Sequence, residues 1–283
     1  MIRQAIAADS VAIDRFLAGH AETSMILRNN LAKYGIGVSQ EPHASMYWIE
    51  IAEGAVTAVF GKSTNGYMMV QAPHASAEFW LQIAKLLAGS QVRGITGVPE
   101  QVDAALAALD LAGQPFLVNK DEPLYSVAMT DVVKLYVEMR LADTFDFAVL
   151  CDSFMGYALD TGLTGSPDDA RIDGENRAKN AIANPDVMML LEGGAPVAMA
   201  GINGRVADLV QIGGVYTPPH GRGQGLARRA VSGLLAHQKD VTHSILFAAG
   251  QAAARAYEAI GYRKIGAYRV AMLRDLHVLE GVK

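Results

Sequence analysis

Residues 209–238 constrain this chain more than any other stretch. Leu209-Val210-Gln211-Ile212-Gly213-Gly214-Val215-Tyr216 is an apolar, strand-like run. Thr217-Pro218-Pro219 ends it, because proline cannot donate to a sheet ladder. A glycine-studded turn, Gly221-Arg222-Gly223-Gln224-Gly225, follows, and Leu226 to Gln238 then reads as a helix. A strand feeding a glycine-rich turn that opens a helix aims several free N–H groups, with the positive end of the helix dipole, at one point. A phosphate suits that point, and residues without a Cβ let it approach the backbone.

Spacing separates the phosphate ligands that use such turns. The dinucleotide fingerprint G-x-G-x-x-G fails, since its last place is Leu226 counted from Gly221 and Arg228 counted from Gly223. The P-loop pattern fails because no Gly-Lys-Ser/Thr follows. Gly61-Lys62-Ser63 lacks the first glycine, position 56 being Val. The turn does fit R/Q-x-x-G-x-G/A, as Arg222-x-x-Gly225-x-Ala227. It resembles the acetyl-CoA pyrophosphate loop of the GNAT superfamily of N-acetyltransferases. Read alone, it is also an ordinary glycine-rich connection.

The flanks extend the resemblance over roughly residues 135–283. Gly213-Gly214 inside an apolar strand is the pattern of a bulge or an edge-strand kink. About thirty residues on, Ser244 to Ala249 reads as a buried strand and Gln251 to Ala259 as an alanine-rich helix, with Gly261 at its C-cap. Tyr262 to Leu273 reads as a final strand or hairpin. Ala252-Ala253-Ala254-Arg255-Ala256-Tyr257-Glu258-Ala259-Ile260-Gly261-Tyr262 is similar to the family's second CoA-contacting segment, A-A-x-x-x-Y-x-x-x-G-F/Y.

The resemblance implies acetyl-CoA as co-substrate and no metal. It implies that backbone groups of Val215, Tyr216 and Thr217 pair with the pantetheine arm. Arg222, Gly223, Gln224, Gly225, Leu226 and Ala227 would surround the pyrophosphate. Tyr257 takes the general-acid role toward the departing thiolate, as a phenol with pKa near ~10 can; the other reading of Tyr257 is a core aromatic. A free N–H near Val215 or Tyr216 would meet the developing oxyanion. The amine attacks directly, so no protein nucleophile is needed. Gln251 stands where the family often has Asn and reaches one carbon further. His220 reads as a loop histidine beside the turn. Glu175, Glu192 and Asp208 are candidate bases that no spacing separates.

Composition places limits on the alternatives. At 283 residues the chain is long enough for two domains, and 51% hydrophobic with 19% charged residues supports sizeable cores. A net charge of −5 argues for no nucleic-acid surface. Cys151 is the single cysteine, which excludes an intrachain disulfide; it lies in the apolar run from Phe145 to Phe154. The seven histidines show no metal-ligand spacing. Arg3, Asp9 and Asp14 interrupt the N-terminal run, so no secretory signal is expected, nor any membrane span. The expected location is cytoplasmic.

The first half has its own pattern. Ile2 to Ile6 reads as a strand, with helices from Asp9 to His20 and Thr23 to Lys33. Met46 to Ala52, Ala55 to Gly61 and Tyr67 to Gln71 read as strands, with turns at Glu53-Gly54 and Asn65-Gly66. Helix Ala75 to Leu87, strand Gln91 to Gly97, helix Glu100 to Leu109 and strand Leu124 to Met129 complete it. This order matches that inferred for a GNAT domain. The expected architecture is therefore α/β (α+β): two tandem GNAT-type domains, each a mixed, mostly antiparallel sheet flanked by helices. Residues 1–133 form the degenerate one and 134–283 the catalytic one.

The corner equivalent to the phosphate turn, Ala72-Pro73-His74-Ala75-Ser76, has no glycine, so the first domain is not expected to bind CoA. It would cover the catalytic domain, shape the acceptor site or form a homodimer contact. Ala21 to Leu31 resembles a motif of bacterial two-domain GNAT proteins. Its Glu22, Ser24, Arg28 and Asn29 are read as acceptor contacts or as capping plus an interdomain salt bridge. The expected function is direct acetyl transfer, in a ternary complex, to a primary amine on a small molecule or peptide. The alternative is a CoA-binding sensor or scaffold without turnover.

Overall fold

The structure, a computed structural model, describes residues 1–37 and 39–281. The chain splits into two compact units, Met1–Glu122 with Ala267–Lys283, and Pro123–Gly266. The sequence reading put one division at 133/134, whereas the packing divides the chain twice. The reason is long-range strand pairing, which no local pattern announces.

The first unit runs β1 (Ile2–Gln4), α1 (Ser10–Ala18), α2 (Met25–Tyr34), β2 (Ser45–Ala52), β3 (Ala55–Ser63), β4 (Tyr67–Gln71), α3 (Ala77–Leu87), β5 (Gln91–Gly97), α4 (Pro99–Ala108) and the start of β6 (Phe116–Ala128). The second runs from the end of β6 through β7 (Glu138–Leu141), α5 (Phe147–Thr161), α6 (Pro167–Ala183), β8 (Val187–Glu192), β9 (Ala195–Val206), β10 (Leu209–Tyr216), α7 (Leu226–Ala236), β11 (His243–Phe247) and α8 (Gln251–Glu258) to the start of β12 (Arg263–Val278).

Each unit has a six-stranded sheet in which every pair but one is antiparallel. In the first, β1 to β5 lie in chain order, β4 and β5 are parallel, and β12 closes the sheet on β5, with Ala271 opposite Ile95. In the second, β7 to β11 lie in chain order, β10 and β11 are parallel, and β6 closes the sheet on β11, with Ser126 opposite Ile245. Each sheet therefore ends on a strand that chain order would give to the other half. Val118, Tyr125 and Val127 of β6 and Ala271 and Leu273 of β12 are buried, which makes the exchange part of both cores.

The period of two sorts each sheet into two faces. In the first unit Trp48, Phe60 and Val70 pack under α3 and α4, while Tyr47, Val59 and Met69 pack under α1 and α2. In the second Met188, Ile212 and Leu246 pack under α7 and α8, while Val187, Met189 and Met199 pack under α5 and α6. Burying each such side chain contributes about 1.5–3 kcal/mol.

Both units open on the same device. Asp9 accepts a forked pair from Arg3 at 2.7 and 2.8 Å and the Ile6 N–H at 2.8 Å. Asp146 accepts Arg140 at 2.6 and 2.9 Å and the Asp143 N–H at 2.9 Å. The arginines hold both carboxyls below the usual range, Asp9 at about 2.

The Ala21 to Leu31 segment packs within the first unit. Arg28 Nε donates to Asp14 Oδ1 at 2.9 Å, so the expected interdomain salt bridge is an intradomain one. The Ser24 and Thr23 hydroxyls donate to buried Gln71 Oε1 at 3.2 and 2.9 Å; Ser24 does not cap α2.

Candidate active site

The site begins where β10 bulges against β9 and parts from β11. Against β9, Gly213 faces Gly201 but Tyr216 faces Met199, so three steps on β10 oppose two on β9. That extra residue is a β-bulge, and Gly214 within it has φ +58°. Against β11 the parallel pairing stops at Ile212 and Leu246, four residues before β10 ends. Gly213 to Tyr216 thus leave β11, and a cavity of about 790 Å³ opens between the strands. It reaches both faces of the sheet: Tyr157, Asp160 and Thr161 line it from α5, and Ala252, Ala256 and Tyr257 from α8.

The turn after β10 forms one wall. Pro219–Gly221 makes a single 3-10 turn. Gly223 has φ +79° and Gly225 has φ +76°, a region that side chains disfavour. Gly225 is the N-cap of α7 and offers no side chain, and the first helical bond runs from the Arg229 N–H to the Gly225 carbonyl. The Leu226, Ala227 and Arg228 N–H groups come before that bond, in the turn where a helix has no internal acceptors. Arg222, Arg228 and Arg255 bring three positive charges to the cavity against the single carboxylate of Asp160.

Two polar atoms of the wall stand out. Thr217 Oγ1 is shut off from solvent and has no hydrogen-bond partner. Arg222 makes three contacts: Nη2 donates to Asp160 Oδ2 at 2.6 Å, Nε donates to the Thr217 carbonyl at 3.2 Å, and the guanidinium lies 5.8 Å from the Tyr216 ring centre. The Tyr216 hydroxyl rests against Gly156 of α5, where a Cβ would collide with it.

Tyr257 is buried in the α7–α8 face, its ring 6.2 Å from that of Tyr262. Tyr262 shares a hydrogen bond with Ser244 Oγ at 2.6 Å, whereas the Tyr257 hydroxyl has no partner among the described residues. Burial, and secondarily the neighbouring Tyr157, push the Tyr257 phenol well above the usual tyrosine range.

Val215, Tyr216, Thr217, Arg222, Gly223, Gly225, Leu226, Ala227 and Tyr257, singled out from the sequence, all line the cavity. Gln224 and Gln251 do not. Gln224 is exposed and donates to the His220 carbonyl at 3.3 Å, and Gln251 is exposed at the start of α8. Glu175 pairs with Arg171, Glu192 with Arg229, and Asp208 with Thr242, all away from the cavity. The sequence reading missed Tyr157, Asp160 and Thr161. Their 3–4-residue spacing, on one face of a helix, was the available signal. Arg228, in the first turn of α7, also lines the cavity.

The arrangement fits a phosphorylated ligand with a narrow arm. The turn supplies unpaired N–H groups and cations, and the strand gap supplies backbone edges. Among the described residues no group of three or more His, Cys, Asp or Glu could hold a metal ion, and no helix is long and apolar enough to cross a membrane.

Comparison with known proteins agrees with this geometry. Residues 157–262 match the model of the acetyltransferase (GNAT) family. A GCN5-related N-acetyltransferase from Kribbella flavida is similar in fold, with TM-score 0.57, 15% identity and 92% of this chain covered with 99% of that one. Another, from Sphaerobacter thermophilus, gives TM-score 0.55 at 16% identity over 100% of this chain and 97% of that one. A tandem GNAT protein from the clavulanic acid biosynthesis pathway gives 0.50 at 10% identity over 96% and 97%. No curated protein matches the sequence. The cavity lies within the matched residues, and the chain carries an acetyltransferase domain of the GNAT family, which makes it an acyltransferase.

Proposed function

We propose that this chain transfers an acetyl group from acetyl-CoA to a primary amine, directly and within a ternary complex, at the cavity of the second unit. One observation carries the reading: the strand gap, the uncapped α7 N-terminus and the unpartnered Tyr257 phenol share a single hollow. The N–H groups around Gly223 to Arg228 hold the pyrophosphate of the substrate, and Arg222 and Arg228 add charge. The edge of β10 from Val215 to Thr217, freed from β11, pairs with the pantetheine arm. An N–H of that edge meets the oxygen on which charge develops.

Tyr257 enters the reaction protonated, because burial disfavours its phenolate. It donates its proton, or a hydrogen bond, to the departing thiolate. Its packing against Tyr262 is what favours the second reading, a CoA-binding protein without turnover, since a core aromatic would pack in the same way. Tyr257→Phe separates the two. Acetyl transfer to an amine panel should fall while acetyl-CoA affinity stays; transfer at the wild-type rate would remove Tyr257 from the chemistry.

We also propose that the first unit binds no CoA. There β4 and β5 stay paired to Val70 and Gly97, one residue before β4 ends. Buried Gln101 accepts the Ala72 N–H at 2.6 Å, and Ser76 caps α3 by accepting the Phe79 N–H at 3.1 Å. Two of the N–H groups at this corner, and the strand edge up to Val70, are thus engaged within the unit.

A further inference from the structure

We propose that the amine acceptor carries a carboxylate, and that Arg177 on α6 receives it; this rests on the acetyl-transfer reading above. The Arg177 guanidinium carbon lies 4.7 Å from the Phe154 ring centre and 5.2 Å from that of Tyr157, both on α5. Stacking uses the face of a guanidinium and leaves its N–H edge for an acceptor. That edge makes no hydrogen bond among the described residues. Its one ion pair, with half-exposed Asp173 a turn away, is 3.8 Å long.

Position gives this edge its meaning. Tyr157 lines the cavity, and Phe154 comes within 3.5 Å of where a Cβ on Gly214 would stand. Arg177 packs on these two rings, one step outside the residues that line the cavity, on the α5–α6 face, whereas Tyr257 belongs to the α7–α8 face. Arg222 pairs with Asp160, and Arg228 and Arg255 lie on α7 and α8, so on the α5–α6 side an anion arriving with the amine meets Arg177. A bidentate carboxylate–guanidinium contact on an aromatic floor is strong and directional.

The test uses the full chain, saturating acetyl-CoA and primary amines in matched pairs, each amino acid against its carboxamide. The carboxylate member should react with kcat/KM higher by about 10- to 100-fold. In Arg177→Gln this preference should vanish through KM while the acetyl-CoA Kd stays within about twofold. Arg177→Lys, which keeps the charge and loses the fork, should restore part of it. Equal rates within pairs in the wild type, or a preference that survives Arg177→Gln, overturns the proposal. So does an equal loss on both members with a lowered Tm, which is the signature of a packing role. If acetyl-CoA binds but no amine reacts, calorimetry of N-acetyl amino acids against their amides decides, and equal affinities overturn the proposal. Failure of acetyl-CoA to bind sinks the acetyl-transfer reading instead, and the same calorimetry without it still reads Arg177.

Discussion

The β4–α3 corner of the first unit and the β10–α7 corner of the second occupy the same place in the same element order, and they differ in how backbone groups are used. At the first corner the parallel strands stay paired nearly to the end of β4, and Gly97 allows them to: a Cβ there would stand 2.9 Å from the Val70 carbonyl oxygen. Ser76 accepts the Phe79 N–H and Gln101 the Ala72 N–H. At the second corner the strands part after Ile212, a bulge bends β10 away, and α7 starts without a side-chain cap. The first corner is finished by its own residues, and the second leaves groups unsatisfied that a ligand can satisfy. The two corners differ by three residues of strand pairing and by the side chains around the helix start.

The variant expected to have the largest effect strikes the open corner. Gly225→Glu forces a side chain into φ +76° beside Arg228 and places a negative charge where the pyrophosphate is proposed to sit. It should weaken acetyl-CoA binding by more than about 100-fold in a direct titration; unchanged affinity would show that the turn is not the phosphate site. Tyr257→Phe should lower kcat by about 100-fold or more with acetyl-CoA affinity kept, as single-turnover kinetics would read.

Smaller effects belong to the first unit, and on stability alone. Leu273→Ala, in the β12 strand that closes the first sheet, should cost about 2–5 kcal/mol in urea unfolding. Ser76→Ala should cost about 1 kcal/mol through the lost cap and leave acetyl-CoA binding unchanged. A fall in that binding would mean that the first corner takes part.

The shared opening device sharpens the comparison from the other side. Asp9 and Asp146 have depressed carboxyl pKa values, so their stabilisation is full above the ordinary carboxylate range. For Asp9 it is lost as pH falls from about 4 to about 2. Asp9→Asn should flatten the acid limb of the stability curve, and an unchanged limb would contradict the Arg3–Asp9 account.

Much of this was legible locally. The bounds of β4, β5 and β10 match the runs read from the sequence, because Gly, Pro and Asn bracket them tightly. The cavity wall from Val215 to Ala227 was legible because glycine and proline there have few other uses. The α5 contribution was not: Phe145 to Phe154 read only as an apolar run, and Gly174 of α6, pressed against the Cys151 carbonyl at 2.8 Å from its would-be Cβ, looks like a helix breaker until its neighbour is known. The unit boundaries were hidden for a different reason. The polar run Asn119 to Glu122 and Pro123 conceal the first part of β6, and which strand β12 pairs with is a property of the whole fold. Asp9, expected to cap a helix, serves instead as the partner of Arg3 and accepts the Ile6 N–H.

Calorimetric titration of the full chain with acetyl-CoA tests the central claim most directly. The account predicts one site per chain, abolished by Gly225→Glu. Two sites per chain, or one that survives that substitution, would contradict it.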